Sequence, residues 1–315
     1  MPTVTTTEIV ADVLDALKVR NPFIFRIAHQ FTNKVLKRGN TAIAHISKVP
    51  NVNDHDDNAG YGANAADAKS LYEDVPITID QHKDVDLSVR YINSIVDNKM
   101  LYKEAIDNAA YALGRAIVQH VLALAVAANF SEETQEDALN YDKDTLGSVR
   151  KKMNVKGAPA NRRIGIVNSD AFEALDSDPR ITSNDHHGQR VEGNPLGVLT
   201  NVAGFSEVFE YPEMPDNAED LNGLFLDPNA IALMTGIPDD IQEVADELGI
   251  PNIAAWETVT EPESGLTLLC IKWMKPGTFD LMISLTVTFG AVAGKQGGAA
   301  GEKTDFHAHR VVEAP

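Results

Sequence analysis

Three short runs carry residue types that bind metals. Asp54-His55-Asp56-Asp57 brings three carboxylates and an imidazole into four consecutive positions, the ligand types that hard and borderline divalent cations take. Consecutive residues of a strand or loop point in different directions and rarely converge on one ion, so this run reads as a solvated turn. His186-His187 and His307-Ala308-His309 read the same way. No His-Glu-x-x-His, cysteine pair or EF-hand loop occurs. Gly290-Ala-Val-Ala-Gly-Lys-Gln296 comes nearest to a phosphate-binding loop. It is one residue short, sets Gln296 where Ser or Thr would hold magnesium, and follows a strand pattern with no helical pattern after it. Gly60-Tyr61-Gly62 lacks the third glycine of a dinucleotide fingerprint, and no Gly-x-Ser-x-Gly elbow is present. The residues assemble no catalytic set, no cofactor-binding set and no metal-ligand set. The expectation is a protein that is not an enzyme and carries no cofactor.

Composition narrows the classes further. The chain has 315 residues, 43% hydrophobic and 23% charged, enough to bury a sizeable core in one large domain or two ordinary ones. Cys270 is the only cysteine, so no intrachain disulfide and no cysteine metal site can form. In the apolar run from Leu266 to Trp273 it reads as a small buried hydrophobe. A net charge of −19 argues against a protein whose task is to neutralise phosphates, because that affinity comes from Lys and Arg. The N-terminus has no basic region followed by an apolar core, hence no secretory signal. The longest apolar stretch, Ala116 to Ala128, falls short of the roughly 20 residues that span a bilayer and contains Gln119 and His120. No membrane partner is expected.

The elements that position these residues follow from periodicity. From Thr6 to Lys18, Ile9, Val10, Val13, Leu14 and Leu17 mark one helical face. Thr41 to Ser47 reads as a strand, and residues 51–66 as a polar, Gly-bearing loop. Val75, Ile77 and Ile79 alternate with polar residues, as do Val85, Leu87, Val89 and Tyr91 after Gln81-His82-Lys83, the pattern of a β-hairpin across that short turn. Lys99 to Asn129 is the strongest helical signal, amphipathic at first and then apolar nearly all round, a strut covered on most sides. Short helices are expected near Tyr141 to Met153 and over Asp239 to Leu248, with an exposed loop over Asp176 to Asn194. Leu266 to Met274 and Phe279 to Phe289 read as strands, the second alternating without error and longer than the usual five or six residues. Gly290 to Gly301 has the composition of a linker.

One succession of segments carries a likeness. Arg162-Arg-Ile-Gly-Ile-Val-Asn-Ser-Asp-Ala-Phe-Glu-Ala-Leu175 is a strand, an Asn-Ser turn and a short helix. Pro195-Leu-Gly-Val-Leu-Thr-Asn-Val-Ala-Gly-Phe-Ser-Glu-Val208 is a Gly-bounded segment, and Leu224 to Leu233 is a strand running into Asp-Pro-Asn-Ala. This order resembles the axial domain of the tailed-bacteriophage major capsid protein, the Hong Kong 97-type capsid fold. The resemblance implies an α+β chain with an N-terminal arm (1–39), an extended β-hairpin loop (40–96), a peripheral domain with a long spine helix (97–140 and 255–315) and an axial domain (141–254).

It also implies a function: a structural protein that self-assembles into the icosahedral shell enclosing a viral DNA genome. In this family the extended loop lies over a neighbouring subunit. The intersubunit contacts implied are therefore Val75, Ile77, Ile79, Val85, Leu87, Val89 and Tyr91, with Ile9, Val13 and Leu17 of the arm. The partners implied are other copies in pentamers and hexamers, a portal, a decoration protein, and double-stranded DNA held without sequence-specific contacts. The loop begins near residue 40, which leaves no room for a cleaved scaffolding segment and implies a separate scaffolding protein. Lys69 has no local motif that marks an isopeptide crosslink. The setting implied is the virion, assembled in the host cytoplasm. From the residues themselves, a long hairpin and a long alternating strand present more edge than a monomer tolerates, and one heterologous contact repeated about an axis closes a ring. The runner-up with the same fold is an encapsulin-like compartment holding an enzyme; a metal-dependent hydrolase using the Asp54–Asp57 run or the His186-His187 loop is the alternative from another class.

Overall fold

A computed structural model of the chain describes residues 6–20, 23–27, 29–30, 41–47, 72–88, 99–182, 197–236, 253–260, 265–275, 277, 280–297, 303–305 and 308–314. The helix expected at 239–248, the Asp54–Asp57 run, His186-His187, Lys69, Val89 and Tyr91 lie outside these residues. The chain divides into two units, each gathered from three segments. The first comprises Met1–Ala42, Ile77–Val121 and Leu233–Ala291; the second comprises Ile43–Pro76, Leu122–Ala232 and Val292–Pro315.

The first unit is built on helices α1 (Thr6–Arg20), α2 (Ile24–Ile27) and α3 (Lys99–Leu122) and one mixed-length sheet. Helix α1 buries Ile9, Val10, Val13, Leu14 and Leu17, the face its spacing predicts. Tyr102 of α3 donates to Asp12 of α1 at 2.9 Å. Ile106, Ala110, Leu113, Ile117 and Val121 recur every three or four residues along α3 and are all buried. At 24 residues α3 is about 36 Å long, and it stops seven residues before the expected Asn129. Past its end, Asn217 donates to the carbonyls of Leu122 and Ala125 at 2.9 and 3.1 Å, and Asn129 donates to that of Leu124 at 2.9 Å. Side-chain amides thus satisfy carbonyls that a continuing helix would have used.

The sheet holds β1 (His29–Gln30), β4 (Gln81–Ser88), β10 (Ile231–Gly236), β11 (Ile253–Thr260), β12 (Thr267–Met274) and β13 (Leu281–Ala293), in the order β1-β10-β13-β12-β11 with β4 also on β13. The 13-residue β13 extends the predicted alternation. β12 flanks it from Leu269↔Thr286 to Met274↔Leu281, and β4 from Met282↔Ser88 to Phe289↔Gln81. Both faces are buried from Ile283 to Gly290, so the polar alternates need partners. Trp273 Nε1 donates to Ser284 Oγ at 2.7 Å, Ser284 donates to Asp86, and His82 Nδ1 lies 2.8 Å from Thr288 Oγ1.

This register corrects the expected hairpin. Gln81-His82-Lys83 is not a turn but the start of β4, which pairs with β13. The strand before it, β3 (Tyr72–Thr78), pairs instead with β2 (Thr41–Ser47) in a two-stranded sheet. His45 Nδ1 and Asp74 Oδ1 meet across that pair at 2.5 Å. Two alternating runs close in sequence look like a hairpin, but a long central strand offers β4 a ladder of eight residue pairs.

The second unit is a six-stranded sheet in the order β5-β16-β9-β6-β8-β7, from β5 (Glu133–Gln135), β6 (Ile164–Val167), β7 (Val198–Val202), β8 (Phe205–Glu210), β9 (Leu221–Leu226) and β16 (Ala308–Val312). Helices α4 (Lys143–Val155) and α5 (Ser169–Ser177) lay Leu146, Val149, Met153, Phe172 and Leu175 into one core with Val167, Leu199, Phe205, Val208, Phe225 and Val311. Asp142 caps α4 by accepting from the backbone of Asp144 and Thr145, and Asn168 caps α5 by accepting from Ala171. The expected strand, Asn-Ser turn and helix are thus β6, Asn168 and α5. A third short helix, α6 (Pro179–Thr182), follows. Ala203 and Gly204, both at positive φ, make the two-residue turn between β7 and β8.

The expected linker at Gly290–Gly301 is partly strand: β13 runs to Ala293, and β14 (Lys295–Gly297) pairs with β15 (Lys303–Asp305). The carboxyl-proximal β16 then joins the second unit, antiparallel to β9 and parallel to β5. The expected grouping of 255–315 as one body differs from this contact division, in which residues from Val292 onward belong with Leu122–Ala232.

Candidate functional site

Among the described residues no group of three or more His, Cys, Asp or Glu side chains could hold a metal ion. Cys270 is buried, and burial first, then Glu257, pushes its thiol up to about 12. His309 is buried in β16, and His307 lies outside the described residues.

What the chain displays is surface of the kind partners cover. In the first unit β11 is the outermost of the described strands, with Trp256 52% exposed, α1 presents Val19, and α3 presents Met100, Leu101 and Tyr111. In the second unit Leu139 and Val155 are 72% and 84% exposed, and β7 and β5 are the outer strands of the sheet. Ile43 on β2 is 56% exposed. Among the described residues these outermost strands present a backbone edge of the kind another chain can pair with, whereas apolar side chains exposed singly are ordinary on any surface.

Of the residues expected from sequence to touch neighbours, Ile9, Val13 and Leu17 are buried on α1, and Val75, Ile77 and Ile79 are also covered within the single chain. Val85 and Leu87 are half-buried on β4. Alternation found the apolar face correctly but could not say whether its cover comes from this chain or another; the exposed Trp256, Ile43, Leu139 and Val155 carried no periodic signal.

Two ion-paired arginines brace the second unit. Arg310 of β16 is buried; its Nε donates to the Phe130 carbonyl at 2.6 Å, and its terminal nitrogens donate to Glu133 at 3.0 Å and to Glu219. Arg180 holds Asp142, Asp144 and Asp178 at 2.7, 2.7 and 3.1 Å, fixing the capped start of α4 against α6. Such forked contacts fix geometry more than they add stability at an exposed site.

No family model matches the chain, and no curated protein sequence does. Solved structures do. A capsid protein of cyanophage P-SCSP1u is similar over 92% of this chain and 88% of its own, at 12% identity and a TM-score of 0.55. One from the capsid of Ralstonia phage GP4 is similar over 93% and 91%, at 11% identity and a TM-score of 0.51. Identity this low leaves topology as the shared property, and that topology, a long helix beside a long antiparallel strand and a separate helix-covered sheet, is the Hong Kong 97-type capsid fold.

Proposed function

We propose that the chain is the major capsid protein of a tailed bacteriophage, a structural subunit whose copies close into the icosahedral shell around a double-stranded DNA genome. The observation that carries this reading is the likeness to phage capsid proteins over about nine-tenths of both chains. The outermost described strands β11, β5 and β7 support it, since a shell subunit must leave surface for its neighbours. The first unit, with α3 as its spine, corresponds to the peripheral domain, the second to the axial domain, β2 and β3 to the extended loop and α1 to the arm. The charge of −19 fits a shell that encloses DNA without gripping its sequence. A portal, a separate scaffolding protein and a decoration protein are the further partners this role brings.

Light scattering and negative-stain electron microscopy of the protein, expressed alone and with the genes flanking its own, test the reading. Closed shells or regular tubes hundreds of ångströms across are expected. A monodisperse small oligomer under every condition refutes it, and shells filled with one cargo enzyme in place of nucleic acid would transfer the chain to the compartment class.

A further inference from the structure

The second unit separates its charges to opposite ends of one sheet. Register fixes which residues share an end: Ile164 of β6 lies beside Glu207 of β8 and Leu226 of β9, whereas Val167 lies beside Glu210 and Gly223. Arg162 and Arg163 precede β6 and so stand at the first end. Arg150 joins them there, its side chain lying against Gly204 in the turn that opens β8, with the exposed Lys151 next to it on α4. Residues 143–163 hold seven Lys or Arg against one acidic residue, in a chain whose net charge is −19. Asp227, which pairs with Arg162 at 3.1 Å, and Glu207 also stand at this end.

At the other end, about 10 Å or more along the strands, α5 begins, β9 starts and β16 finishes. Asp170, Asp216, Asp220 and Glu313 line an open cavity of about 400 Å³ there, and no Lys or Arg is among its described lining residues. Each end crowds like charges. Burial, then the nearby Arg150, lowers the pKa of Arg163; the hydrogen bond with Asp216, then its charge, with burial and Glu313 adding, raises that of Asp220. An opposite charge brought to either end would relieve that crowding.

We propose that the two ends dock head to tail, the Arg150 and Lys151 end of one copy seating on the Asp170, Asp220 and Glu313 cavity of the next. The inference rests on the capsid reading, and it identifies the contact by which second units close a ring. A second copy is the occupant that the charges favour, because an acidic subunit offers its own cationic patch an abundant complement. Two complementary patches at opposite ends of one body also make a heterologous contact, the type that closes rings. Opposite potentials at such a contact set register and reject wrong pairings more than they add raw affinity.

Charge reversal at one end at a time tests this. Full-length Arg150→Glu/Lys151→Glu and Asp170→Lys/Asp220→Lys chains are each expected to need at least about tenfold more protein than the wild type to form shells by light scattering. A chain carrying both pairs of reversals is expected to assemble within about threefold of the wild type, because every contact then regains opposite charges in rings of five as in rings of six. That rescue also shows that neither pair of reversals blocks folding. Single-end variants that assemble as readily as the wild type would overturn this contact and leave the capsid reading standing, as would a chain with both pairs that fails to assemble although it keeps the wild-type circular dichroism. A wild-type chain that forms no shells would overturn the capsid reading and this contact with it.

Discussion

Acid should loosen β16 of the second unit before the carboxylates that hold α4 are protonated. His309 is 1% exposed, and burial, followed by Lys152, Lys156 and Arg310, lowers its pKa from 6.5 to about 3. Thr134 Oγ1 lies 2.7 Å from its Nε2 and accepts from Lys152 Nζ at 2.9 Å, so an imidazolium there would stand near Lys152, Lys156 and Arg310. The unfolded chain takes up this proton near pH 6.5 and the folded chain only near pH 3. Stability from this group therefore falls with pH across that window, by about 1.4 kcal/mol per unit, or about 2.7 kcal/mol at pH 4.5. Asp142 and Asp178 act lower. Burial raises both, but hydrogen bonds from Arg180 and from backbone N–H groups outweigh it and leave them below 3.8, so their contribution is lost only as pH falls through still lower values. Trp256 and Trp273 both lie in the first unit, so fluorescence does not report on β16. Hydrogen exchange of the 308–312 amides does. Between pH 7 and 4.5, after correction for intrinsic exchange, protection in the wild type should fall about a hundredfold, the equivalent of 2.7 kcal/mol. In His309→Asn the fall should be no more than a few-fold. An equal fall in both chains, or none in the wild type, would refute the reasoning.

Three further outcomes follow from single side chains. Arg310→Ala removes the cation between Glu133 and Glu219 and the donor to the Phe130 carbonyl; the expected cost is about 3 kcal/mol by urea denaturation followed by circular dichroism, with part recovered by adding Glu219→Gln. Gly290→Ala would drive a Cβ into the backbone of Thr78 and Ile79, where neither neighbour is a flexible side-chain tip, and should cost at least about 2 kcal/mol, read as a lower thermal midpoint. Cys270, with its thiol pushed up to about 12 by burial, should react with a disulfide reagent at pH 8 at least about a hundredfold more slowly in the native chain than after denaturation.

Periodicity reached the local elements and stopped at pairing. The faces of α1 and α3 were legible because apolar residues recur every three or four positions, and β13 because it alternates over its length. The strand, turn and helix at β6, Asn168 and α5 were legible because Asn-Ser between an apolar strand and a helical run reads as a turn; that Asn168 caps the helix is seen only in the structure. The partner of β4 was not, since two strands separated by three polar residues carry the same pattern whether they pair with each other or with a third. Nor was the passage of β16 into the second unit: Ala308-His309-Arg310-Val311-Val312 is too short and too polar to read as a central strand. Its fit depends on Glu133, Glu219 and Phe130, far away in sequence. The surface that remains for partners was the least legible, because burial of Ile77 or exposure of Trp256 is decided by tertiary packing rather than by spacing.

Cryo-electron microscopy of particles formed by the full-length chain tests its proposed role most directly. An icosahedral shell is expected, with α3 and β13 recognisable in every subunit and the Arg150 end of each second unit against the Asp170 cavity of its neighbour. Small closed oligomers, or a shell whose subunits place α3 and β13 in another arrangement, would contradict it.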